Sequence, residues 1–222
     1  MILEMKTKIQ IGIIGLGKFG FKFGQTLVDL GHDVLGIDAS EKRVKNAQYS
    51  FTQVYQADAT NKEVLKQMRI DELEHVVISV GDSIAASIMI SMYLKELGVE
   101  NVWVKAIHHD HEKLLYKIGA DKVIIPEYMA AQLIANRIAM PGFIEQLPFG
   151  KSMGIKEFEV KTWAGKTLKE IDMTNIYNVQ VIAIKKAGQK DYSFIPKAGD
   201  TLNQGDIFVA IGTVTQLSKI NS

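Results

Sequence analysis

Short apolar runs alternate with helix-period stripes along the first 125 residues, and the alternation is regular. Ile11 to Ile14 is a β-branched run that stops at glycine, and Asp33 to Asp38 is a second run that ends in an acid. Phe51 to Gln56, His75 to Gly81, Asn101 to Lys105 and Lys122 to Ile125 repeat the theme. Runs of this length, bounded by turn residues, predict strands buried on both faces of a parallel sheet. Between them Phe19, Phe23, Leu27 and Leu30 recur at helical spacing, with Gly31 as the stop. Helices are expected over Glu41 to Ala47, Asn61 to Met68, Ser83 to Leu97 and His109 to Ile118. The β-α alternation predicts an α/β fold, a doubly wound parallel sheet of six strands with its ligands outside the carboxyl ends of the strands.

Two helices break the surface rule. Ser83 to Leu97 and Glu127 to Ala139 are apolar on more than one face, whereas a surface helix is striped. Both therefore ask for cover beyond their own sheet, most simply another subunit. Pro141-Gly142 ends the second, and Phe143 to Gly150 reads as a hinge or linker. The remainder changes character. Met153 to Val160 alternates as a half-buried strand, Thr167 to Ile171 is helical, and Val179 to Lys185 is a strand. Lys186 to Gln189 turns toward a strand over Tyr192 to Ile195, Asp206 to Ile211 is a last strand and Thr213 to Ile220 a last helix. The expected organisation is a nucleotide-binding domain over 1–140, a linker over 141–150, and a small α+β domain over 151–222. The last has about 70 residues, near the lower limit for a self-sufficient core.

The first strand-to-helix corner carries the chemistry. Gly15, Gly17 and Gly20 match G-x-G-x-x-G, in which the first glycine makes the turn, the second admits a diphosphate, and the third lets the helix pack on the strand. This makes the sheet Rossmann-like. The first N–H groups of the helix, at Lys18, Phe19 and Gly20, favour an anion, and Lys18 adds a full charge. Asp38 lies where the ribose-binding acid belongs and predicts an NAD-type or adenosine nucleotide rather than NADP. Its alternative role is a cap for the helix at Glu41. Asp58, with Ala59, and the segment Ser79, Val80 and Gly81 fall along the same crevice. Asp58 reads equally as a turn residue. Lys105 either reaches phosphate or serves a structural ion pair.

Composition narrows the classes. Charged residues make up 23% and the net charge is +1, which gives no electrostatic case for nucleic acid. The absence of cysteine excludes disulfides, thiolate metal sites and cysteine nucleophiles. Met1 to Lys8 does not read as a signal peptide, and no stretch approaches the roughly 20 apolar residues of a membrane span. His108, His109, Asp110 and His111 cluster at a helix start, but adjacent residues diverge on a helix, so a loop and cap are expected there rather than a metal centre. No catalytic residue is assigned. A small NAD-dependent oxidoreductase is the alternative reading, and it lacks a proton donor or paired His/acid set in the second half.

The chain resembles the RCK-domain (TrkA-N and TrkA-C) cytosolic regulatory subunits of bacterial Trk/Ktr-type potassium-uptake channels. The resemblance rests on Ile13 to Gly20, Ala57-Asp58-Ala59-Thr60 and Lys117 to Glu127 in the first part. In the second it rests on Gly165 to Leu168, Val181 to Ile184 and Asp200 to Asp206. It implies a cytoplasmic homodimer that assembles into a homo-octameric ring beneath a membrane-embedded potassium channel or transporter subunit. ATP, ADP or NAD(H) would set the ring's shape. It also implies a terminal-phosphate contact at the position of Lys18, where arginine is common in the family. Glu127 matches a position that binds a divalent cation across the dimer in some relatives; its alternative is a carboxylate favoured at a helix N-terminus. Some relatives bind cyclic di-AMP in the C-terminal domain.

Overall fold

The computed structural model describes residues 8–81, 83–147 and 153–221. The chain divides after Pro126 into two compact units. In the first, strands β1 (Gln10–Ile14), β2 (Asp33–Asp38), β3 (Gln53–Gln56), β4 (His75–Ile78), β5 (Asn101–Lys105) and β6 (Lys122–Ile124) form one parallel sheet in the order β3-β2-β1-β4-β5-β6. The connecting helices are α1 (Lys18–Asp29), α2 (Glu41–Ala47), α3 (Lys62–Gln67), α4 (Ile84–Glu96) and α5 (His109–Lys117). The winding reverses between β1 and β4, the switch point at which doubly wound sheets place their ligands. Register pins β1 between its neighbours, with Ile14 opposite Ile37 on one side and Ile78 on the other.

Alternate residues of the central strands feed two cores. Ile14, Ile37, Ile78, Leu94 and Leu115 pack in one cluster, and Ile11, Ile13, Val34, Phe51 and Val77 in the other. Phe51, expected at the start of a strand, sits before β3, and its ring lies over Gly24 of α1 and Gly36 of β2. The space left by the two missing side chains is thus filled by an aromatic ring.

The apolar helix α4 buries Ser87, Ile90, Ser91 and Leu94 and exposes Met89 and Met92. Ser87 turns inward onto a polar partner supplied by α5, and Ser91 onto Ser87 O of its own helix. His111 is 1% exposed, its Nδ1 accepts from Ile107 N–H at 3.3 Å, and its Nε2 lies 2.9 Å from Ser87 Oγ. The Ser87 hydroxyl in turn donates to Ile84 O at 2.8 Å. The neutral tautomer protonated at Nε2 satisfies every one of these contacts. Burial, and secondarily the neighbouring charge of His108, lower the His111 pKa from 6.5. The unfolded chain therefore takes up this proton first as pH falls, and stability is lost below about pH 6.5 as pH approaches the folded-state value. Urea melts across pH 5 to 7.5 are expected to show that slope, and His111→Gln to flatten it. An unchanged slope in the variant would remove His111 as its source.

The second unit contains most of α6 (Pro126–Ala139), of which no residue is buried; Met129, Ile134 and Ile138 are exposed, the last at 77%. Its sheet joins β7 (Phe143–Gln146), β8 (Met153–Glu159), β9 (Gln180–Lys185), β10 (Ser193–Phe194) and β11 (Ile207–Thr213), antiparallel in the order β10-β9-β11-β8-β7. The expected linker is corrected here. Phe143–Gln146 is a strand paired to β8, with Phe143 opposite Lys156, and Arg137 of α6 fastens it by donating to Ile144 O. The rest of that expected linker, 148–150, lies outside the described residues. The expected helix over Thr167 to Ile171 is followed by another: α7 (Leu168–Ile171) and α8 (Met173–Tyr177) are separated by Asp172 at φ 50°. The expected strand over Tyr192 to Ile195 is two residues long; Ile195 still donates its N–H to Ile182 O, but its φ of 58° is not that of a strand. The last helix, α9 (Val214–Leu217), is also shorter than expected and opens with a Thr213/Gln216 capping box.

The core of this unit is a stack of Phe158 on Phe208, centroids 5.0 Å apart, with Val160, Leu202 and Leu217 around it. Asp206, 2% exposed, closes the turn before β11 and accepts from Lys186 Nζ at 2.8 Å and from the N–H groups of Ala187 and Asn203 at 2.9 Å each.

Candidate functional site

The corner between β1 and α1 has the geometry expected of a phosphate cradle. Gly15 has φ 94°, and a Cβ there would stand 2.8 Å from the backbone of Ser79. Its N–H donates to Ile37 O and Ser79 N–H donates to Ile14 O, so the loop is seated on β2 and β4 together. Gly20 packs so close that a Cβ would lie 2.0 Å from Gly15 O. At Gly17, the N-cap of α1, a Cβ would meet nothing within 4 Å. That open side leaves the Gly17 main chain free to approach a diphosphate. The first helical bond runs from Phe21 N–H to Gly17 O, so the N–H groups of Lys18, Phe19 and Gly20 precede it. No side chain caps this end and no acid occupies the first turn. Lys18 is exposed. The Phe19 ring stacks on Phe23 at 5.7 Å, which leaves its backbone as its contribution to the cradle.

The sheet order brings the remaining positions to the same carboxyl edge. Asp58 and Ala59 follow β3, Asp38 ends β2, Ser79, Val80 and Gly81 follow β4, and Lys105 ends β5. Asp58 is a turn residue in geometry: its Oδ1 accepts from both the N–H and the hydroxyl of Thr60, and the hydroxyl bond foremost lowers its pKa. Ala59 is buried in the core behind the edge, Val80 packs against the same cluster, and Ser79 is buried under the loop. Lys105 Nζ comes within 3.3 Å of where a Gly81 Cβ would sit, so those two positions are brought together. Glu127 is exposed at the start of α6 in the second unit. Among the described residues no three His, Cys, Asp or Glu side chains gather as a metal site, and His108 acts as the N-cap of α5 by accepting from His111 N–H.

Asp38 differs from the expectation of an outward acid. It is 6% exposed; Oδ2 accepts from Leu16 N–H at 2.7 Å, and Oδ1 accepts from Ser40 N–H at 2.8 Å. The carboxylate ties the glycine loop to β2 and also orders the residue that precedes α2, in line with the alternative role near the start of that helix. Arg43, which the sequence reading passed over, lies 3.4 Å from Asp38 Oδ2. The signal was available: a cation five positions after a strand-end acid, within the first turn of the next helix.

The two halves of the chain match known families. The TrkA-N domain model matches residues 11–126, and the TrkA-C domain model residues 156–222. The Ktr system potassium uptake protein C of Bacillus subtilis (strain 168) is 33% identical over 213 residues, covering 96% of each chain. The Ktr system potassium uptake protein A of Vibrio alginolyticus is 33% identical over 211 residues, covering 95% of each. Among solved structures, the GsuK channel bound to NAD aligns at a TM-score of 0.57 and 22% identity, over 96% of this chain and 38% of that one, a likeness of fold. On these matches, together with the cradle at Gly15 to Gly20, the chain belongs to the TrkA-N/TrkA-C family of RCK proteins, with the Ktr potassium uptake proteins among its relatives.

Proposed function

We propose that the chain is a nucleotide-sensing regulatory subunit of a potassium uptake system, acting on the cytoplasmic side through a membrane-embedded partner. The observation that carries this is the uncapped start of α1 behind an open Gly17, with a lysine in its first turn. The cradle would hold the diphosphate of ATP, ADP or NAD(H) on the N–H groups of Lys18, Phe19 and Gly20. Asp38, Asp58, Ala59, Ser79, Val80, Gly81 and Lys105 end or follow strands at the same carboxyl edge and, through main chain where the side chain is buried, would surround the rest of the ligand. Full-length Ktr relatives support the potassium-uptake assignment.

The mechanism is differential binding. One nucleotide favours one arrangement of the assembled subunits over another, and the shift equals the difference in its affinities for the two. Exposed Met89 and Met92 on α4, and Met129, Ile134 and Ile138 on α6, supply apolar area for a homodimer and for its assembly into an octameric ring. The resemblance extends the proposal to two ligands bound by some relatives, a divalent cation at the position of Glu127 and cyclic di-AMP in the second unit. Among the described residues no helix is long and apolar enough to cross a membrane.

Calorimetry of ATP, ADP, NAD and NADH against the nucleotide-stripped protein, with light scattering of each complex, tests this reading. Binding of adenine nucleotides to an octamer whose shape differs between ligands is the expected result. Monomers at micromolar concentration, or turnover of a nicotinamide cofactor, would overturn it. Lys18→Ala should weaken ATP more than ADP or NADH, by about tenfold for one lost charge-assisted contact. Equal losses would show that Lys18 does not touch the terminal phosphate.

A further inference from the structure

We propose that the ribose end of this crevice admits a 2′-phosphorylated adenosine nucleotide, and that Arg43 is the residue that decides it. The inference rests on the nucleotide reading of the crevice. A strand-end acid rejects a 2′-phosphate when its carboxylate faces the ribose carrying an unbalanced charge, whereas an arginine nearby accommodates one. Here the acid is turned inward. Asp38 is almost wholly buried, with one oxygen on Leu16 N–H and the other on Ser40 N–H. The carboxylate is occupied in holding the loop.

Its charge is also matched. Arg43 Nη1 stands 3.4 Å from Asp38 Oδ2, so the pair presents no net charge to a ligand. That contact uses one of the five N–H donors of the guanidinium, at the long end of hydrogen-bond range, and the Arg43 side chain is 47% exposed. The remaining donors form a planar fork suited to phosphate oxygens. The neighbouring acid on α2, Glu41, is engaged by Lys45 at 2.6 Å. Arg43 sits in the first turn of α2, directly after the carboxyl end of β2, which is the edge where the fold places an adenosine ribose.

The test compares adenosine 5′-monophosphate with adenosine 2′,5′-bisphosphate, which differ only in the 2′-phosphate, by calorimetry on the full chain. The parent protein is expected to bind the bisphosphate no worse than about tenfold below the monophosphate, because the acid is already neutralised. Arg43→Gln is expected to lower the bisphosphate-to-monophosphate affinity ratio by at least about tenfold, the scale of a lost charge-assisted bond. Glutamine keeps a donor near Asp38, and a melt of the variant checks that the loop survives. Rejection of the bisphosphate by more than about tenfold in the parent, or an unchanged ratio in Arg43→Gln, would overturn the proposal and leave the nucleotide reading standing. If neither compound binds, and ADP and NADH do not bind either, the nucleotide reading itself fails.

Discussion

Gly20→Ala is expected to melt the first unit several degrees below the parent chain, whereas Gly17→Ala, three positions earlier, is expected to melt near the parent and to bind nucleotide at least about tenfold more weakly. The two outcomes follow from what each added methyl would meet. At Gly20 it would stand 2.0 Å from Gly15 O, a backbone atom held between β2 and β4, so helix and strand must separate. Overpacking of this kind costs about 1–3 kcal/mol, and more where main chain has to yield. The better helix propensity of alanine returns about 0.8–1 kcal/mol, which is not enough. At Gly17 the backbone has φ −68°, which alanine adopts without strain, and nothing lies within 4 Å. A stiffer unfolded chain favours alanine there by about 0.4–1 kcal/mol, and alanine's weakness as an N-cap offsets it, so the fold changes little. The methyl instead stands where the diphosphate approaches, and affinity for ADP or NADH should fall at least about tenfold, or about 1.4 kcal/mol. Thermal melts and calorimetry on the two variants separate fold from site. Equal melting temperatures would overturn the packing account of Gly20, and retained binding in Gly17→Ala would show that the glycine loop is not used as a cradle.

Asp206→Ala is expected to destabilise the second unit clearly. The carboxylate is buried and collects three donors, the Lys186 ammonium and two N–H groups. Removing it leaves the N–H groups of Ala187 and Asn203 without this acceptor, while Lys186, 39% exposed, keeps its bond to Thr201 O, so a cost of about 1–3 kcal/mol is expected. A small unit with one aromatic stack as its centre has little stability to lose. Burial acts to raise the Asp206 pKa, but the Lys186 bond and the two backbone bonds outweigh it and hold it below 3.8. The stabilisation is therefore present above the ordinary carboxylate range and is lost as pH falls through the lower folded-state value. Circular dichroism melts at pH 7 and pH 3 read both effects. A loss below about 1 kcal/mol at pH 7 would mean that the turn reorganises around the missing side chain.

The first unit was legible because its signals are local and redundant. β2, α2 and β5 fall on the expected residues, and each is a pure run closed by a turn or cap. The second was less so. β7 lies just after Pro141-Gly142, and its pairing with β8 is a tertiary fact that no local pattern carries. α8 was missed because it begins at a left-handed Asp172, a conformation unusual for a residue other than glycine. At the site, glycine spacing predicted both the close approach and the open position. The direction of Asp38 was not predictable, since sequence gives the presence of an acid at a strand end and not whether Leu16 N–H will claim it.

The seat of the glycine loop has a consequence for how the protein is made. Gly15 rests on Ser79, a residue synthesised about 60 positions later, and at roughly 5–20 residues per second that gap lasts several seconds. Throughout it β1 has β2 as a neighbour but not β4, so its second edge is open to mispairing. A nascent chain halted before β4 leaves the ribosome cannot be rescued by nucleotide, because the pocket's floor has yet to emerge.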